Sequence, residues 1–66
     1  MAHLTVYYFD DENKLQEVSV DALHPDEAVW IGARKAKMET ESFRRKIVEV
    51  LDKREGIKVQ LAYGRN

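Results

Sequence analysis

Apolar residues recur at helical spacing through the middle of the chain, from Pro25 to Glu55. Counting 100° per residue, Gly32, Ala33, Ala36, Thr40, Phe43, Ile47, Val50 and Leu51 fall within about 60° of Val29. A stripe of that width, held in phase throughout, predicts one long amphipathic helix. Pro25 fits the first helical position, and Asp26 and Glu27 favour the positive end of the dipole. Lys53 and Arg54 then occupy the last turn, with Gly56 placed for the left-handed residue just beyond it. The alternative is a helix broken near Thr40, within Glu39-Thr-Glu-Ser42. A second helix starting there would place Arg44, Arg45 and Lys46 in its first turns, against the dipole. Neither Thr40 nor Ser42 has Glu or Gln three residues on. The continuous helix is the expectation.

Period-two patterns flank that stretch. Residues 3–9, His-Leu-Thr-Val-Tyr-Tyr-Phe, are β-branched and aromatic and read as a strand. Asp10 to Lys14 is a polar turn in which Asn13 best tolerates a left-handed backbone. Leu15 to Val20 resumes alternation, with Val18 and Val20 on one face and Glu17 and Ser19 on the other. Two such strands joined by a short polar loop make a hairpin. Ile57, Val59, Leu61 and Tyr63 alternate with Lys58, Gln60 and Ala62 in a last strand.

The resulting order is β-β-α-β, an α+β two-layer domain formed by residues 1–66 as a single unit. The first strand is the most apolar, so it belongs in the middle of a three-stranded antiparallel sheet of order 2-1-3, packed on one long helix. A helix of about 30 residues is roughly 45 Å long, whereas a seven-residue strand spans about 23 Å. Half the helix must overhang. Bulky Phe43, Ile47, Val50 and Leu51 would cover the sheet, leaving Gly32, Ala33 and Ala36 beyond it. Small residues let backbones approach closely, which points to a two-fold helix–helix contact and a homodimer.

Size sharpens that expectation. The chain has 66 residues, and a domain so small buries only about 60% of the surface its unfolded chain exposes. With no cysteine, neither disulfides nor thiolate zinc can supplement the core, so self-association is favoured. No apolar run reaches membrane-spanning length and the start lacks secretory character, giving a cytoplasmic location and no membrane partner. Net charge is −1, split into −6 over the first thirty residues and +5 over the rest.

No recognisable catalytic constellation is present. There is no Gly-rich phosphate loop and no paired-histidine spacing, and His3 and His24 lack orienting partners. Asp10-Asp11-Glu12 solvates a turn, and Asn13-Lys14-Leu15 breaks any EF-hand pattern. The expectation is a non-enzymatic chain with no cofactor and no metal site.

Apolar residues off the stripe say more. Trp30, Ile31 and Met38 lie outside it on the overhanging half, where they would form a protein-binding patch. If Leu4, Val6 and Tyr8 face the helix, Tyr7 and Phe9 face away and extend the contact surface. The reading is a small homodimeric protein–protein interaction module with an unidentified protein partner. The alternative is a nucleic-acid-binding protein that stacks bases on Tyr7 and Phe9 beside Lys58, with Arg34, Lys37 and Arg45 on phosphates. Against it, the helix cations circle the wheel and several have acids at i±4.

Overall fold

The structure, a computed structural model, describes residues 2–59. It is an α+β domain whose elements run β1 (Ala2–Phe9), β2 (Leu15–Ala22), α1 (Glu27–Ala36), α2 (Thr40–Lys46), β3 (Ile47–Asp52) and β4 (Ile57–Lys58). The four strands form one antiparallel sheet in the order β2-β1-β3-β4.

The hairpin forms as its alternation implies, with Leu4 opposite Val20, Val6 opposite Val18 and Phe9 opposite Leu15. Its turn is built on Asp10. The Lys14 and Glu12 amides donate to Asp10 Oδ1 at 2.9 and 2.8 Å, and Asn13 takes the left-handed conformation at φ 62°.

The long helix does not form. Instead of one helix from Pro25 to Glu55 there are two short helices and a strand. α1 begins at Glu27 rather than Pro25, after a tight turn in which Glu27 N donates to His24 O. It stops at Ala36 because Lys37 turns left-handed, at φ 59° and ψ 42°. Lys37 N then donates to Arg34 O and Met38 N to Ala33 O, the paired bonds of a Schellman motif. Glu39, extended at ψ 139°, caps α2 by accepting from Ser42 N at 3.0 Å. The dipole objection fails because α2 ends at Lys46. Arg44, Arg45 and Lys46 lie in its last turn, where cations are favoured.

The third strand beside β1 is therefore Ile47–Asp52, and not residues 57–63. Tyr8 pairs with Ile47 and Tyr7 with Glu49, leaving Val48 as the extra residue of a bulge. A four-residue turn, 53–56, returns the chain to β4. Gly56 does adopt positive φ, at 71°, but it closes a hairpin, its amide donating to Asp52 O at 2.7 Å. β4 pairs with β3, so Lys58 lies opposite Leu51 and not beside β1. The remainder of the expected strand, from Gln60 to Tyr63, lies outside the described residues.

Both helices cover one face of the sheet. Leu4, Val6, Tyr8, Val20, Ala22 and Val50 meet Ala28, Val29 and Ala33 of α1 and Phe43 of α2. Phe43 is wholly buried, worth about 1.5–3 kcal/mol of apolar transfer, and its ring centroid lies 4.8 Å from that of Tyr8. No overhang exists. Gly32 and Ala33, expected to stand beyond the sheet, are buried in the core of the same chain. Among the described residues, no helix is long and apolar enough to cross a membrane.

Candidate functional site

Two surfaces hold the residues singled out from the sequence. The first is the outer face of the sheet. Alternation along β1 sends Leu4, Val6 and Tyr8 into the core and leaves Tyr7 half-buried and Phe9 42% exposed. Tyr7 is flanked by Glu17 of β2 and Glu49 of β3. From the β3–β4 turn, Lys53 reaches back with Nζ 5.9 Å from the centre of the Tyr7 ring and 3.8 Å from Glu17 Oε2. Hydrogen bonding to the Tyr7 hydroxyl, with the nearby Glu17 charge adding to it, holds the Lys53 pKa above its ordinary value. Farther across, Lys58 Nζ lies 3.1 Å from Glu49 Oε2.

These contacts decide what the face can do. Lys53 and Lys58 each already have a carboxylate, so the cations beside the aromatics are balanced within the chain. The remaining expected phosphate contacts are scattered. Arg34 lies over Trp30 on α1, Lys37 is the exposed left-handed residue after α1, and Arg45 is exposed on α2. Tyr7 meets Lys53 and not Lys58.

At one end the outer face is apolar. Phe9 lies opposite Leu15, which is 59% exposed. Leu15 shares the parity of Glu17 and Ser19, so its outward position was readable from alternation alone. Val48 and Ile57 are also exposed. Val48 lies in a strand absent from the expected fold, whereas Ile57 opens the expected last strand, which pairs with β3 instead of β1.

The second surface is the flank of α1 that carries Trp30. Its side chain is 46% exposed, and the Arg34 guanidinium carbon lies 5.4 Å from the ring centre. Ile31 and Met38 do not join it on the surface, since both are partly buried against the core. Leu23, between β2 and α1, is 74% exposed. Its backbone N–H donates to Glu27 Oε1 at 2.9 Å.

Elsewhere, His3 Nδ1 pairs with Asp21 Oδ1 across the β1–β2 ladder. Lys46 Nζ reaches Asp11 Oδ1 at 3.2 Å, joining the end of α2 to the first turn. Among the described residues, no group of three or more His, Asp or Glu side chains is arranged to hold a metal ion. Comparison of the chain with protein-family models, with curated proteins and with solved structures finds no match.

Proposed function

We propose that this chain is a non-enzymatic protein-interaction module whose contact surface centres on Trp30. The observation that carries the reading is an indole half in solvent on a helix whose other large apolar side chains are packed inward. A Trp presented on a rigid helix, its ring braced by Arg34, provides a large apolar contact with little conformational freedom to lose on binding. Pairing of Lys53 and Lys58 with Glu17 and Glu49 supports a protein partner over a nucleic acid, which needs unneutralised cations. Homodimerisation through an overhanging stripe has no stripe left to use. A second copy stays one candidate occupant of the Trp30 surface.

The test is recovery of partners by the tagged chain from its native lysate, beside Trp30→Ala, with and without nuclease. One stoichiometric protein that survives nuclease and moderate salt, and is lost with Trp30→Ala, is expected. Material that disappears with nuclease, or a partner retained by Trp30→Ala, would overturn the reading.

A further inference from the structure

We infer that the outer edge of β2 is a docking site for an extended basic segment of another protein, added there as a fifth strand. On that side, among the described residues, β2 pairs with no other strand. The phase of the ladder follows from the turn, where Asp10 N donates to Lys14 O. Alternation then makes Tyr8–Gln16, Val6–Val18 and Leu4–Val20 the hydrogen-bonded pairs. The N–H and C=O groups of Glu17, Ser19 and Asp21 therefore point away from β1, toward the free edge. Lys35 corroborates this phase, because its Nζ donates to Ser19 O at 2.9 Å.

A second copy does not fit this edge. α1 packs chiefly on β2 and only marginally on β1, so the helix stands over the edge strand. Pairing β2 with β2 of another copy would bring the two α1 helices to about the strand spacing of 4.8 Å. Packed helices need about 8–10 Å. The edge therefore admits a strand with no layer above it, which is an extended peptide.

Charge selects that peptide. The β1–β2 hairpin carries five carboxylates, Asp10, Asp11, Glu12, Glu17 and Asp21, against the single cation Lys14. Glu17 and Asp21 stand on the outer face beside the outward-pointing backbone groups and are exposed. Their present partners, Lys53 and His3, are themselves more than half exposed and are the groups an incoming cation would displace. Lysine or arginine at alternate positions of an added strand would lie next to them, as cross-strand pairs do. The intervening side chains would face the helix side, beside Val18 and Val20. There the partly buried Ile31 lies one turn before Lys35 on the same flank of α1. An incoming N–H would take over Ser19 O, releasing the exposed Lys35.

The probe is an alternating Lys-Val peptide as long as β2, with a Glu-Val peptide as its counterpart, added to the full chain. Expected is binding of the Lys-Val peptide that weakens with salt and slows hydrogen exchange at the Glu17, Ser19 and Asp21 amides. Glu17→Pro should lower its affinity about tenfold or more. The Glu17 N–H takes no part in the β1–β2 ladder, so proline at that edge position is compatible with folding. Should Glu17→Pro unfold, Glu17→Lys with Asp21→Lys replaces it, and the preference should then pass to the Glu-Val peptide. Unchanged exchange at those three amides, equal binding of both peptides, or concentration-dependent protection without peptide, the sign of a second copy, would each overturn the proposal. Trp30→Ala should leave the peptide affinity unchanged, which separates this edge from the Trp30 surface.

Discussion

The ring of Phe43 lies directly against the backbone of Gly32. A Cβ at position 32 would stand 2.9 Å from Phe43 Cζ and 3.0 Å from Cε2, with Val18 Cγ1 at 3.5 Å. Glycine at this point in α1 is a matter of space. It lets α1 descend onto α2 and β2, at the usual helix-propensity cost of about 1 kcal/mol.

Gly32→Ala should therefore destabilise the chain although alanine is the better helix former. Phe43 has Tyr8 behind it and cannot simply withdraw, so overpacking should cost about 1–3 kcal/mol. Urea unfolding would show a lowered midpoint. Phe43→Leu in the Gly32→Ala background should recover part of the loss, a coupling that two independent sites would not show.

Lys37→Gly should act in the opposite direction. A lysine at φ 59° carries the steric penalty of the left-handed region, which glycine does not. Part of the gain is offset by the greater freedom of glycine in the unfolded chain. The net stabilisation should be about 0.5–1 kcal/mol, read from the same urea midpoint. Lys37→Ala should give none of it.

Acid should weaken the turn at Asp10 and the start of α2. Backbone hydrogen bonds from Lys14, aided by Gln16 and Glu12, hold the Asp10 pKa below its ordinary 3.8. Those from Ser42 and Glu41, with the Ser42 hydroxyl, hold Glu39 below 4.5. Each folded pKa lies under its unfolded value. The ionised form therefore stabilises the fold fully above pH 3.8 and 4.5 respectively, and that stabilisation disappears as pH falls through the folded values. Urea midpoints measured from pH 7 down to 3 should decline in that window. The decline should be shallower in Asp10→Asn and Glu39→Gln.

Trp30→Ala should cost about 1–2 kcal/mol, because about half of the indole is packed against the chain. That is clearly less than the roughly 3–5 kcal/mol lost when a fully buried Trp is truncated. Thermal unfolding followed by circular dichroism gives the comparison. A larger loss would mean that the indole belongs to the core, and the interaction reading would lose its central residue.

The hairpin was legible because its alternation and turn chemistry agree. Leu4, Val6 and Tyr8 point inward while Asp10 and Asn13 build the turn. Beyond Thr40, two periods coincide. Ile47, Val50 and Leu51 continue the helical stripe from Phe43, yet Ile47-Val48-Glu49-Val50 is also a β-branched run suited to a strand. A wheel records where apolar residues fall and is indifferent to branching at Cβ. The stop signal was hidden as well, because Lys37 takes a conformation normally given to glycine and Glu39 caps with a longer side chain than the usual Ser or Asp. Missing β3 had a direct cost at the candidate surfaces. Tyr7 and Phe9 were placed on the correct face, but the cation over Tyr7 comes from the turn between two strands that had been read as the end of a helix and the start of a strand. Ile31 and Met38 looked exposed only because the helix was expected to overhang.

The position of β1 has a consequence during synthesis. It leaves the ribosome before the other strands of the sheet, yet it is an inner strand, and one of its two neighbours is β3, which ends at Asp52. The hairpin with β2 can close early, since local turns form in microseconds. The other side of β1 must wait until both helices and β3 have emerged. A nascent or truncated chain that ends before Ile47 keeps the most apolar strand of the sheet with one open side, the kind of edge that recruits other chains. Such fragments should aggregate where the full chain does not.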